Sequence, residues 1–182
     1  LLAKLMNKYH AEGINGTCSR LLTYMELDEF CEALSHCKVV WSGGEKYPMT
    51  LLTKLQKMGV HIFNTYGPTE ITVSSNIKDL THSHKVTVGH PLLNYEEFIV
   101  DIFDNELPQG FTGELLIGGL GVAKGYNNLP EMTEQRFVEY KGIRVYRSGD
   151  LACWQPDGDV EILGRNDSQV KLRGFRVELG EI

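Results

Sequence analysis

Phe63-Asn64-Thr65-Tyr66-Gly67-Pro68-Thr69-Glu70 is the segment of this chain best equipped for chemistry. An apolar, β-rich run is stopped there by a Gly-Pro turn and followed at once by a hydroxyl and a carboxylate. A strand ending in a tight turn presents its next side chains at the carboxyl edge of the sheet, where open α/β sheets bind ligands. Tyr66 offers a flat face for a planar base, Asn64 a paired donor and acceptor for a base edge, Thr69 a hydroxyl for a phosphate, and Glu70 an oxygen ligand for Mg2+. These are the parts of a nucleotide site.

Other segments invite chemistry and carry less. Ser42-Gly43-Gly44-Glu45 follows an apolar strand pattern and precedes a helix, and glycines at such a point let backbone approach a planar ligand. The glycine stretch from Gly118 to Gly125 has neither GxGxxG nor Walker spacing and opens no helix, so it reads as turns and close packing. His82 and His84 alternate as strand residues do, but no third metal ligand has a persuasive spacing. Cys18, Cys31, Cys37 and Cys153 lack CxxC spacing and read as free thiols of a reducing compartment.

The elements that must hold these residues change character once. Residues 1 to about 75 alternate: helix 1–11, strand 14–17, helix 19–34, strand 38–41, helix 48–58, strands 60–65 and 71–77. That alternation predicts a parallel sheet covered by helices. From about residue 86 short strands dominate, at 95–102, 113–118, 143–147 and 158–163, with hairpin signals at Asp104-Asn105 and Asp157-Gly158. This half predicts a small β-barrel or curled antiparallel sheet, interrupted by one helix from Leu129 to Phe137 whose Pro130 suits a first turn. The expected fold is therefore α/β followed by a small antiparallel β-barrel-like subdomain, divided as 1–85, 86–165 and 166–182.

Composition bounds the function. The 182 residues are 42% hydrophobic with a net charge of −6, and no apolar run nears the roughly 20 residues of a membrane helix. Neither a signal peptide nor a basic stripe is visible, which predicts a cytoplasmic domain that binds no nucleic acid and no membrane.

The Tyr66-Gly67-Pro68-Thr69-Glu70 segment resembles the core motif of the adenylate-forming enzymes, in particular the adenylation domains of nonribosomal peptide synthetases. Gly113–Gly119 with Gly121–Tyr126, then Tyr146–Leu151, then Gly164–Gly174 and Glu178–Ile182, match successive family motifs in family order. Lys124 stands where arginine is usual and Ser148 where threonine is usual, and both keep the charge or the hydroxyl.

The resemblance implies that ATP, with Mg2+ on Glu70, condenses with an amino acid to an aminoacyl-AMP, which then passes to the phosphopantetheine thiol of a peptidyl carrier protein. Thr69, Glu70 and Lys171 would then be catalytic, Lys171 turning toward the site in the thioester-forming state. Gly43, Gly44, Asn64, Tyr66, Asp150 and Arg165 would hold the nucleotide, with Asp150 accepting from both ribose hydroxyls. Asn15, Val40, Ser42, Thr65, Val73 and Ser74 would line the amino-acid pocket, and Asp167 would be the hinge of a small C-terminal domain. The family's ammonium-binding aspartate and phosphate loop would precede Leu1, and its catalytic lysine would follow Ile182. The chain thus reads as a piece that needs the remaining parts of its adenylation domain, inactive alone. Two alternatives stay open: an acyl-CoA or aryl-acid ligase of the same superfamily, and a non-catalytic structural subdomain.

Overall fold

In the computed structural model, residues 1–166 are described together with the backbone of two later strands, Gln169–Leu172 and Phe175–Glu178. The chain forms two compact units. The first comprises Leu1–Thr65, Lys78–Val86 and Lys171–Val177, and the second Tyr66–Ile77, Thr87–Val170 and Glu178–Ile182.

In the first unit α1 (Leu2–Tyr9), β1 (Gly13–Gly16), α2 (Cys18–Tyr24), α3 (Asp28–Ser35), β2 (Val39–Gly43), α4 (Met49–Met58) and β3 (His61–Tyr66) follow in order. The strands β1, β2 and β3 pair in parallel, so the expected helix-covered parallel sheet is present. Its core follows from helical spacing. Phe30, Ala33 and Leu34 of α3 and Leu51, Leu52 and Leu55 of α4 fall on single helix faces and pack with Val40 and Ile62 of the sheet. Each of the fully buried leucines contributes about 1.5–3 kcal/mol. α4 stops at Gly59, which takes the left-handed conformation (φ 73°) that a helix end favours. It is tied down by Gln56, whose amide donates to the carbonyls of Leu80 and Ser83 at 3.2 and 2.9 Å.

The single helix expected over 19–34 is two. Leu27 is extended (φ −104°, ψ 118°), and α3 restarts at Asp28-Glu29, acidic residues that a helix N-terminus favours. The Cys31 thiol donates to the Met25 carbonyl left open by the break. The strand expected over 71–77 is shorter. Thr69–Ile71 form a 3-10 turn, Thr72 and Val73 are left-handed (φ 63° and 71°), and β4 (Asn76–Asp79) begins only afterwards. Local β preference is overridden by anchors within the second unit: Ile71 is fully buried, its carbonyl accepts from Tyr95 Oη at 2.7 Å, and Thr72 Oγ1 donates to Gly121 O at 2.8 Å.

The second unit is built on β6 (Tyr95–Val100), β7 (Gly113–Gly119), β9 (Ile143–Trp154) and β10 (Val160–Arg165), antiparallel in the order β10-β9-β7-β6. β8 (Phe137–Tyr140), which the sequence did not signal, pairs with β9 after α5 (Pro130–Arg136), and β5 (His90–Pro91) pairs with the start of β4. The later strands β11 (Gln169–Leu172) and β12 (Phe175–Glu178) pair with each other. Alternation along β7 sends Leu115 and Ile117 into one cluster with Tyr66, Ile71, Ile99 and Tyr146, and Leu116 into another with Val100 and Val145. The sheet is thus apolar on both faces, as a curled, barrel-like subdomain requires. Among the described residues no helix is long and apolar enough to cross a membrane.

One carboxyl breaks the pattern. Glu97 lies two residues before the core residue Ile99 on β6, shares its face, and is 8% exposed. Asn76 Nδ2 donates to its Oε2 at 3.1 Å, yet burial pushes the carboxyl up from 4.5 to about 7. Between these two values the unfolded chain releases a proton that the folded chain keeps, so stability falls as pH rises through that window and levels off above it. Replacing Glu97 by Gln removes this titration. Compared at pH 8 with pH 5, thermal or urea unfolding of Glu97→Gln should show a relative gain over wild type of about 2–3 kcal/mol. An offset that is the same at both pH values contradicts the assignment.

Candidate nucleotide-binding site

In the first unit two adjacent parallel strands end side by side. Ser42 lies beside Asn64 and Gly43 beside Thr65 in the β2·β3 register. A Cβ on Gly43 would stand 2.1 Å from the Thr65 carbonyl, so only glycine permits this approach, while Gly44 makes the following turn at φ 79°. Pleating divides the expected pocket residues. Val40, Ser42 and Asn64 share the buried face, whereas Asn15 and Thr65 lie on the other with Trp41 and Phe63, whose rings stack at 6.2 Å. Beneath Ser42, the Cys18 sulfur is 3.6 Å from its hydroxyl, and burial pushes that thiol up to about 11. Cys18 is therefore a packing residue and not a thiolate.

The second unit holds a buried charged cluster of its own. Tyr66, the last residue of β3, donates its phenol to Asp150 Oδ2 at 2.5 Å. Arg165, opposite Asp150 in the β9·β10 register, donates Nη1 to Oδ1 at 2.9 Å. Asp150 is 2% exposed, so its charge is matched by the guanidinium and not by bulk water. Burial first, and the neighbouring Asp150 charge second, push the Tyr66 phenol well above its ordinary range. Tyr66 is accordingly a fixed donor at any neutral pH.

Gly67 next to it lets the chain fold back, since a Cβ there would lie 2.6 Å from Ser74 Cα. The Ser75 N–H closes the loop onto the Tyr66 carbonyl at 2.9 Å. Val73 is held outward, 79% exposed, in the left-handed conformation that a β-branched residue adopts only under constraint, and Ser74 follows half-buried.

Thr69 stands exposed at the start of the 3-10 turn, and Glu70 is buried beside it. Glu70 Oε1 accepts from Tyr126 Oη at 2.7 Å, and its carbonyl accepts from Ala123 N at 2.8 Å. The stretch Gly121–Tyr126 therefore fastens Glu70, a role that spacing alone did not disclose. Tyr126 is itself held by Thr133 Oγ1, which accepts its N–H at 2.9 Å, and by edge-on packing with Phe137 at 5.5 Å. Lys171 lies in β11, its side chain outside the described set, and Asp167 falls outside the described residues altogether.

Among the described residues no group of three or more His, Cys, Asp or Glu could cage a metal ion, and all four cysteines are free. Glu70 belongs to no such group, and a single carboxylate ligand suits a cation shared with ligand oxygens.

Comparison with known proteins identifies the family. The family model described as AMP-binding enzyme matches residues 1–127. Bacitracin synthase 2 of Bacillus licheniformis is 42% identical over all of this chain, which spans 7% of that protein. Gramicidin S synthase 2 of Aneurinibacillus migulanus is 43% identical over 82% of the chain and 4% of its own length. A solved nonribosomal peptide synthetase protein containing adenylation and PCP domains, bound to a vinylsulfonamide inhibitor, superposes with a TM-score of 0.89 at 28% identity, over 98% of this chain and 33% of that one. With a family model covering well over half of its length, the chain belongs to the AMP-binding enzymes.

Proposed function

We propose that this chain is the nucleotide-binding part of an amino-acid-activating adenylation domain. The parent protein would join ATP and an amino acid into an aminoacyl-AMP, release pyrophosphate, and deliver the aminoacyl group to the thiol of a carrier-protein arm. The observation that carries the reading is the buried Tyr66–Asp150–Arg165 arrangement. An ionised carboxylate with two oxygens, anchored on one side by a guanidinium, suits a pair of vicinal ribose hydroxyls. Tyr66 would hold the carboxylate from the other side as its fixed donor. Arg165 keeps Asp150 in place and adds positive charge on the phosphate side.

Glu70 fits Mg2+ shared with the nucleotide phosphates, because magnesium commonly takes one or two carboxylates and leaves its other positions to phosphate and water. When bound, that ion would neutralise charge on the phosphates. Tyr126 orients Glu70 for it, and Thr69 reaches the phosphates with its hydroxyl. Nucleotidyl transfer depends chiefly on such positioning and charge neutralisation. Asn15, Val40, Ser42 and Thr65, together with Val73 and Ser74 on the loop fastened at Ser75, would serve the amino acid. Lys171 serves the thioester-forming state and Asp167 the hinge. Similarity to a solved nonribosomal peptide synthetase protein supports an amino acid, while a similar N-terminal subdomain solved with 3-hydroxybenzoyl-AMSN keeps an aryl acid as the second reading.

Two outcomes test this. The full-length protein should catalyse ATP–pyrophosphate exchange stimulated by one or a few amino acids, and Asp150→Ala should raise KM for ATP about ten-fold or more. The isolated 182 residues should show none. Exchange with aryl or fatty acids alone moves the chain to the related ligases. In a Mg2+ titration of nucleotide binding, Tyr126→Phe should raise half-saturation at least about three-fold by loosening Glu70. An unchanged midpoint removes Tyr126 from the metal's surroundings.

A further inference from the structure

Asp150 does not sit on a regular strand. Arg147 of β9 stands opposite Leu116 of β7, and Leu151 stands opposite Glu114. Ser148, Gly149 and Asp150 therefore face Leu115 alone, and β9 bulges at this point. A bulge of this kind displaces backbone groups from the ladder, and each displaced group needs another partner. Ser148 Oγ supplies two such contacts, donating to Leu115 O at 2.7 Å and accepting from Asp150 N at 3.0 Å. Asn166 N donates to the Gly149 carbonyl at 2.9 Å. The Gly149 N–H donates to Glu114 Oε1 at 3.2 Å.

Glu114 is divided between two partners. Its Oε2 accepts from Nε and Nη2 of Arg147 at 3.2 and 2.7 Å, which fixes the carboxylate plane and leaves Oε1 aimed at the bulge. Arg147 is braced from the far side by Asp104, at 2.9 Å. Glu114 is therefore a preset acceptor holding Gly149 in its left-handed conformation, φ 71°. The next residue along is Asp150, whose carboxylate reaches Tyr66 and Arg165 only from the bulged backbone.

We propose that Glu114 is a positioning residue for the nucleotide site: by clamping Arg147 with one oxygen and the Gly149 N–H with the other, it holds the bulge that aims Asp150 at the ribose hydroxyls. This rests on the reading of Asp150 as the ribose ligand. Glutamine cannot replace it, because both of its contacts come from donors and an amide offers only one acceptor atom. Aspartate keeps the charge but is one methylene too short to reach both.

The test is equilibrium binding of ATP and of 2′,3′-dideoxy-ATP to the full-length protein, read as the ratio of the two Kd values. Wild type should prefer ATP about ten-fold or more, and Asp150→Ala should bring the ratio close to one. Glu114→Gln should lower the preference at least about five-fold, and Glu114→Asp should lower it in part, providing a second reading if the glutamine variant folds poorly. A purely structural loss would weaken both nucleotides alike and leave the ratio untouched. If Asp150→Ala abolishes the preference while both Glu114 variants retain it, the positioning role is overturned and the ribose reading stands. If Asp150→Ala itself retains the preference, the ribose reading fails and the role of Glu114 falls with it.

Discussion

The second unit is organised around one buried anion. Asp150 is almost wholly withdrawn from water, and an isolated carboxylate in that position would cost several kcal/mol. It is tolerated because a guanidinium and a phenol converge on its two oxygens. Each of these partners arrives on a different element: Tyr66 at the end of β3, Arg165 at the end of β10, Asp150 on the bulge of β9. The carboxylate thereby dictates where three segments distant in sequence must meet. The same constraint explains why β9 is irregular at its centre although its flanks pair as ordinary antiparallel ladder.

An irregular strand needs a device that restores its lost hydrogen bonds, and here the device is charged. Glu114 and Arg147 form a forked pair at the edge of the bulge, largely shielded from solvent. For a pair withdrawn from water in this way, the cost of desolvation offsets much of the Coulomb attraction, so it adds little to stability. Its value is geometric, since two fixed N–H···O contacts to one oxygen leave the other with a single direction. Polar geometry of this sort is worth more to a binding site than to the fold. The apolar clusters on both faces of the sheet hold the strands together, and the polar fork decides where one residue of one strand points.

Sequence alone disclosed much of this and missed what depends on distant partners. Tyr66, Glu70, Asp150 and Arg165 were legible because each sits in a short motif of distinctive residue types. The helix-covered parallel sheet and the antiparallel β half followed from the change in hydrophobic period near residue 86. Four features were not legible. The break at Leu27 carries neither glycine nor proline. The left-handed Thr72 and Val73 contradict the β preference of their own side chains. Glu97 reads as one more outward residue of a polar pair, Glu96-Glu97, yet the alternation of β6 turns it toward Ile99. The separation of Asn15 and Thr65 from Val40 and Ser42 depends on strand register, which a motif cannot state. In every case the deciding contact lies outside the local window.

Glu97 shows how the core of the second unit is compromised by its site. The Tyr66 phenol feels two carboxyl groups, strongly that of Asp150 and more weakly that of Glu97. Were both ionised in apolar surroundings, their like charges would oppose each other and the phenol could answer only one. The fold resolves this by giving the arginine to Asp150 and leaving Glu97 to burial and an amide. Asn76, which supplies that amide, also accepts from Ser75 Oγ at 2.6 Å, and Ser75 is the residue whose N–H closes the Val73–Ser74 loop onto Tyr66. Two polar groups, Glu97–Asn76–Ser75 and Tyr66–Asp150–Arg165, are thus joined by the backbone hydrogen bond from Ser75 to Tyr66. Buried polar groups gain from such connections, because each one left alone in the interior costs more than its hydrogen bond returns. The loop that offers Val73 outward is therefore fixed by the same network that fixes Asp150, and its strained backbone is sustained by that network and not by local preference.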